Sequence, residues 1–175
     1  MFKKIAIGIV VVIAGILAVA AFQKEDYTVS RTTSIAASPE KIFGLVNNFH
    51  GWEKWSPWEK MDPVMKRVYE GPKAGVGAVY GWTGNSKVGE GRMTITESQP
   101  SQKVGMRLDF EKPMKDTCTS EFTFKPEGKG TLVTWSMAGK KKLAAKAMCL
   151  FMSMDKMIGT QFENGLNDLK ALAEK

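Results

Sequence analysis

The chain has 175 residues, a net charge of +7, one histidine and two cysteines. This length accommodates one ordinary domain with a hydrophobic core and a short appendage. The lone histidine, His50, and the lack of any metal-ligand or nucleophile spacing argue against a metal site or an activated nucleophile. We therefore expect neither a metal nor a cofactor.

The N-terminal segment predicts a membrane anchor. After Lys3 and Lys4 the chain is uncharged from Ile5 to Phe22, and at a rise of about 1.5 Å per residue this run just crosses a hydrocarbon core of about 30 Å. A cleaved secretory peptide is the alternative, because residues 18–20 (AVA) have the small-x-small form of a signal peptidase site. The run is apolar on all faces, which disfavours a buried N-terminal helix.

Both alternatives place the protein in the same compartment. The basic end stays in the cytoplasm, and the domain is exported to the periplasmic or extracellular side. We expect residues 1–24 to form a single-pass signal anchor and residues 25–175 to form the folded domain. Nucleic acid is a poor partner for an exported domain, and no basic run is interleaved with stacking aromatics.

Two further features leave alternatives open. Lys140, Lys141 and Lys142 precede the last helix, and they indicate either contact with anionic lipid or a solvated loop. Cys118 and Cys149 either pair in an oxidising compartment or stay as small buried hydrophobes. The sequence does not indicate an oligomeric state.

The predicted elements follow a simple order. Alternating β-branched residues over Tyr27–Ile35 predict a strand, and Ser38 with Pro39 is typical of the N-cap and first residue of a short helix. A second short helical piece carries the three tryptophans of residues 52–58. Turn residues then divide the chain into six strands, at residues 65–70, 77–83, 89–98, 103–110, 117–125 and 131–138, which predicts an antiparallel meander.

The last segment, Leu143 to Ala173, predicts one long amphipathic helix. Its apolar residues recur three or four positions apart, which is the spacing of one buried stripe. Gly159 and Gly165 each weaken a helix by up to about 1 kcal/mol relative to alanine. We expect the helix either to bend at these glycines or to pack unusually close to a neighbour.

This order of elements, with three short motifs, resembles the helix-grip fold of the START or SRPBCC superfamily, and most of all its polyketide cyclase/dehydrase-like branch. The motifs are residues 35–43 (IAASPEKIF), residues 55–58 (WSPW) with Asp62-Pro63, and residues 89–91 (GEG) with residues 95–97 (ITE) and Pro100. The resemblance covers about residue 27 to the C-terminus. It implies an α+β fold in which a curved antiparallel sheet of six or seven strands wraps around the C-terminal helix.

The resemblance also implies a cavity between sheet and helix for a lipid, sterol, polyketide or other apolar molecule. Tryptophan and methionine side chains suit the wall of such a cavity. The candidate ligand contacts are Trp52, Trp55, Trp58, Tyr80, Trp82, Met93, Ile95, Met106, Leu108, Phe122, Trp135, Met154 and Met157. Each is also a plausible core residue, and the strand positions depend on a parity that an error of one residue would reverse.

Catalysis would require an acid or base inside the cavity beside a cationic or hydroxyl group. The candidates on the strands are Glu90, Glu97, Asp109, Glu121, Arg92 and Arg107. Charged residues on half-exposed strands are usually solvated, so no catalytic residue is assigned. We predict a membrane-tethered domain that binds a hydrophobic small molecule or lipid. A cyclase or dehydratase-like enzyme, and an interaction module with a filled interior, are the alternatives.

Overall fold

The computed structural model describes residues 2–175 and has the predicted α+β class. The elements are α1 (Phe2–Ala21), β1 (Asp26–Ile35), α2 (Pro39–Val46), a 3₁₀ helix (Phe49–Lys54), α3 (Pro57–Met61), β2 (Lys66–Glu70), β3 (Val79–Thr83), β4 (Glu90–Gln99), β5 (Lys103–Lys112), β6 (Asp116–Glu127), β7 (Gly130–Lys140), α4 (Leu143–Met148) and α5 (Met154–Ala173). The predicted short helical pair after the first strand is present. Ser38 caps α2 as expected, because its hydroxyl accepts the backbone N–H of Lys41 at 3.4 Å.

Seven strands form one antiparallel sheet in the order β1-β7-β6-β5-β4-β3-β2. Strands β2 to β7 each pair with their neighbours in sequence, which is the predicted meander. The first strand forms one edge of the sheet and pairs with β7, from Asp26 opposite Lys140 to Ile35 opposite Thr131. A register shift between Ile95 and Glu97 marks a bulge, a feature that bends a strand. The curved sheet and the C-terminal helix packed on β1 confirm the helix-grip architecture.

The C-terminal helix is not continuous, and the prediction of one helix over 143–173 is wrong in this respect. α4 ends at Met148, and a turn precedes the start of α5 at Met154. Ser153 explains the new start, because its hydroxyl accepts the backbone N–H of Lys156 at 3.3 Å, and Asp155 lies in the positively polarised first turn. The apolar residues before this cap do not continue the buried stripe.

Both glycines of α5 lie inside the helix, and the expectation of close packing is confirmed. A Cβ at Gly159 would collide with the guanidinium of Arg31 on β1. A Cβ at Gly165 would lie 2.7 Å from the ring of Trp135. At Gly165 the helix therefore lies against rigid rings, whereas at Gly159 a side chain would have to displace the end of the flexible Arg31 side chain.

The N-terminal helix stands apart from the domain over most of its length. Side chains from Lys3 to Gly15 are exposed, Ala20 near the end of the helix is fully buried, and the main contact of α1 with the domain is with α4. The segment Lys3–Ala21, with a mean hydropathy of 2.6, is long and apolar enough to cross a membrane.

Candidate functional site

The predicted ligand contacts meet in an aromatic core between the sheet and α5. Trp135 on β7 stacks on Phe122 of β6 and on Phe162 of α5, with ring centroids 4.6 and 4.1 Å away. Trp52 and Trp55 meet Trp135 edge-on, at 6.3 and 5.8 Å. Edge-on and offset-stacked rings are the favourable arrangements of aromatic pairs, so this cluster contributes to the stability of the interior.

The buried indole N–H groups have partners within the protein. Trp52 donates to the carbonyl of Val46 at 2.9 Å, and Trp55 donates to the carbonyl of Leu45 at 3.4 Å. Trp135 donates to the hydroxyl of Ser120 at 2.9 Å. These tryptophans therefore need no ligand to satisfy their polar atoms.

Most of the other candidate contacts belong to the same core. The buried candidates are Trp52, Trp55, Tyr80, Met93, Ile95, Met106, Leu108, Phe122 and Trp135. Trp58, Trp82 and Met154 are half-buried and pack against this core, whereas Met157 is 40% exposed. The strand parity therefore directs the expected side chains inward. Their contact with a ligand stays a prediction.

The charged strand candidates form separate ion pairs. The Lys103 ammonium lies 3.0 Å from Glu97 and 2.8 Å from Glu121, and it holds the pKa of Glu97 below its usual range. The remaining pairs are Glu90 with Lys112, Arg92 with Glu70, and Arg107 with Asp109. None of the six candidates lines any of the clefts described below.

A buried polar cluster that sequence reasoning missed joins α3 to the strands β2 and β3. The carboxylate of Glu59, which is 6% exposed, accepts bonds from Arg67 Nε at 2.8 Å and from the Tyr80 hydroxyl at 2.7 Å. Burial, followed by the bond to Glu59, raises the pKa of Tyr80. No spacing motif links these three residues, so only the fold reveals the cluster. Its groups satisfy one another, which is typical of a structural connection.

Two clefts lie away from the aromatic core. One, of ≈ 510 Å³, lies between α3 and α5 and is lined by Pro57, Lys60, Met61, Gln161, Asn164, Asn167 and Asp168. Lys60 and Asp168 form an ion pair there at 2.6 Å. The other, of ≈ 210 Å³, lies beside His50 and Tyr69, whose rings stack with centroids 4.0 Å apart. His50 thus lies in the 3₁₀ helix and packs against Tyr69 of β2.

A third cleft, of ≈ 450 Å³, lies between β1 and the turn that joins α4 to α5, and polar and apolar groups share its surface about equally. Its apolar and aromatic side chains are Tyr27, Val29, Leu150, Phe151, Met152 and Met154. Val29 is 1% exposed and belongs to the core, and Met154 packs against that core. The bottom of the cleft is therefore in contact with the hydrophobic core. We call it the β1 cleft.

An ion cluster fixes α5 beside the β1 cleft. Arg31 on β1 pairs with Asp155 at 2.9 Å and with Glu163 at 2.5 Å. Asp155 also lines the cleft. Bonds to Asp155 and Glu163 raise the pKa of Arg31, and the Arg31 guanidinium lowers the pKa of Asp155. The wall that α5 contributes to the cleft therefore depends on this cluster.

Solved structures with the same fold are distant in sequence. A protein from Chromobacterium violaceum is similar with a TM-score of 0.63 and 14% identity over 85% of this chain and 97% of its own. The Aha1 dimer from Colwellia psychrerythraea has a TM-score of 0.61 and 19% identity over 85% and 96%. The di-domain aromatase/cyclase StfQ of the steffimycin biosynthetic pathway has a TM-score of 0.62 and 13% identity over 86% of this chain and 51% of its own. These likenesses show the fold.

A search of curated proteins gives no match to this chain. A family model described as "Polyketide cyclase / dehydrase and lipid transport" matches residues 26–174, which is nearly the whole chain after the N-terminal helix. The fold, the aromatic core and this match agree with the resemblance in the sequence motifs. The chain therefore belongs to the polyketide cyclase/dehydrase and lipid transport family.

Proposed function

We propose that this protein binds an apolar small molecule or lipid next to a membrane, and that the molecule enters at the β1 cleft. The observation that carries this proposal is the cleft itself, with ≈ 450 Å³ of space and aromatic, aliphatic and methionine side chains around it. Ligand sites for drug-sized molecules commonly enclose about 300–1,000 Å³, and the mixture of apolar and charged side chains in this cleft suits a molecule with an apolar part and a polar end. The family description, which includes lipid transport, supports the same class of ligand.

The lining of the cleft indicates how such a molecule would bind. Val29, Leu150 and Met154 offer apolar contact, and burial of the ligand contributes about 25 cal/mol per Å² before ordering costs. Lys141 and Asp155 lie at the same cleft, where they can orient a polar end. The ligand is thus an amphiphile or an aromatic molecule with its apolar part toward the core.

The candidate contacts deeper in the core fit a second stage of binding. Trp135 stacks on Phe162 of α5 and on Phe122, so in this proposal a ligand reaches these rings only when α5 moves away from β1. Arg31 opposes that movement through its pairs with Asp155 and Glu163. In this proposal, binding at the cleft and movement of α5 away from β1 are therefore separate steps.

The N-terminal helix supplies the membrane part of the proposal. In this scheme α1 spans the bilayer with its basic end in the cytoplasm, and it holds the exported domain where apolar molecules partition. Its exposed apolar length and its main contact with the domain, at α4, support this arrangement. The outward ion pairs of the charged strand residues favour binding over catalysis.

The first experiment is native mass spectrometry of the full chain, purified in mild detergent from its own host. We expect one stoichiometric amphiphile or aromatic molecule to co-purify. Cys149, which is half-buried, lines the β1 cleft, so a bound molecule should slow its reaction with a small maleimide. A fatty acid, a sterol and an aromatic polyketide serve as probes when nothing co-purifies.

A matched control places the reactive thiol elsewhere. Val64 is 88% exposed and precedes β2, the strand at the opposite edge of the sheet from β1. In a Val64→Cys, Cys149→Ser variant the same probes should leave the labelling rate unchanged. If no molecule co-purifies and no probe protects Cys149, the proposal fails, and an interaction module with a filled interior becomes the better description.

A further inference from the structure

The segment around α4 exposes large apolar side chains together. Leu143 is 47% exposed, Met148 40%, Phe151 75% and Met152 49%. These four residues, which we call the α4 surface, lie within ten positions of one another around the helix break. Contiguous exposed apolar groups on a domain commonly mark a surface that binds a membrane or another molecule.

The α4 surface is fixed to the end of the N-terminal helix. α1 packs on α4, and Ala20 in the last turn of α1 is fully buried. The backbone N–H of Lys141 donates to the carbonyl of Glu25 at 2.7 Å, and the Lys146 ammonium pairs with the Glu25 carboxylate at 3.2 Å. When α1 spans a bilayer, these contacts hold α4 at the level where α1 leaves it.

An exposed aromatic residue also lies at the end of α1, next to its contact with α4. Phe22, which follows α1 directly, is 92% exposed. Gln23, the next residue, lines the β1 cleft together with Phe151 and Met152. Phenylalanine and leucine side chains commonly form the membrane-facing side of segments that lie at the interface, with lysines on the polar side, and both Phe22 and Phe151 suit this arrangement.

The charges around the α4 surface complement a phospholipid surface. Lys24, Lys140 and Lys141 form no ion pair with any group in residues 2–175. The nearby acids Glu25 and Asp116 are paired, with Lys146 and Lys142 respectively, and Asp26 lies opposite Lys140 in the register of β1 and β7. The three lysines outnumber Asp26, so the net charge beside the apolar residues is positive, and an anionic headgroup layer attracts it.

We propose that the α4 surface inserts into the headgroup region of an anionic phospholipid bilayer beside α1, so that the β1 cleft opens toward the lipid. This inference rests on the membrane span in the proposed function, and it requires no particular ligand. It makes the bilayer itself the source from which an apolar molecule reaches the cleft.

The test uses the full chain in nanodiscs that contain anionic phospholipid with a nitroxide near the carbonyl end of one acyl chain. An environment-sensitive fluorophore is attached to a single introduced cysteine, Phe151→Cys, in a Cys149→Ser background. Cys118 is 4% exposed and should not react. We expect a loss of fluorescence at position 151 and a smaller loss in zwitterionic nanodiscs.

Two control sites separate the possible failures. Leu17→Cys lies in α1 and reports the membrane span, and Val64→Cys lies at the far edge of the sheet and reports water. Quenching at 151 comparable with that at 17, and absent at 64, is the expected result. Quenching at 17 with none at 151 overturns the docking and leaves the span intact. No quenching at 17 overturns both, and equal quenching in both lipids overturns the role of the lysines.

Discussion

Arg31 on β1 lies directly against Gly159 on α5, in space that any side chain at 159 would fill. This close approach brings the guanidinium within 2.9 Å of Asp155 and 2.5 Å of Glu163. One arginine thus joins the edge strand to two turns of the C-terminal helix, at the wall of the β1 cleft.

Replacing Arg31 should loosen α5. In Arg31→Met the apolar stem stays and the ion pairs are lost, so we expect faster hydrogen exchange in the first turns of α5 and faster ligand uptake. Arg92→Met is the matched control, because Arg92 forms an exposed pair with Glu70 on the sheet. Unchanged exchange in α5 of Arg31→Met would contradict the role given to Arg31.

Three helical glycines should respond to alanine in different ways. Gly44 in α2 has open space around it, so Gly44→Ala should stabilise the protein by up to about 1 kcal/mol. Gly165→Ala should destabilise it despite the same helix preference, because the new methyl group meets the rings of Trp135 and Pro57. Gly159→Ala meets only the end of a flexible arginine, and its effect should lie between these two. Urea unfolding of the three variants checks this order.

The Glu59 cluster should behave as a coupled pair. Glu59→Ala leaves the Arg67 guanidinium without its buried partner, which costs roughly 3–5 kcal/mol for a fully buried pair. The Arg67 side chain is 21% exposed, so we expect the lower end of that range. Glu59→Ala combined with Arg67→Met should restore part of the loss in the free energy of unfolding. Purely additive losses in this double-mutant cycle would show that the two residues are not coupled.

The two cysteines should differ in reactivity. Both are free in the structure, and burial, the largest cause, raises the pKa of the Cys118 thiol to about 11. Cys149 is half-buried in the β1 cleft. We expect a thiol reagent to modify Cys149 in the native protein and Cys118 only after unfolding. If neither reacts until a reductant is added, the cysteines form a disulfide instead.

Alkaline pH should destabilise the fold through its tyrosines. Burial is the main cause that raises the pKa of Tyr27, Tyr69 and Tyr80, to about 12 for Tyr69. Because tyrosines in the unfolded chain lose their protons near pH 10, the folded state binds more protons above that pH, and stability falls as pH rises further. Absorbance titration should show tyrosinate only as unfolding begins. Ionisation of all three near pH 10 in the folded protein would contradict this.

The sequence predicted the fold well where local signals repeat. Alternation along β6 and β7 placed Phe122 and Trp135 on the inner face, and Ser38 with Pro39 marked the start of α2. The same periodicity gave no sign of the break after α4. Leu150 and Phe151 fit the apolar spacing of one continuous helix, although Ser153 caps a new one. The Glu59 cluster and the β1 cleft arise from residues far apart in sequence, and no local pattern indicates them.

The position of Trp135 has a practical consequence. Its indole stacks 4.1 Å from Phe162, and Trp58 contacts both rings, so a displacement of α5 changes the surroundings of two indoles at once. The intrinsic tryptophan fluorescence and the near-ultraviolet circular dichroism of the unmodified protein therefore report whether α5 is packed on the sheet.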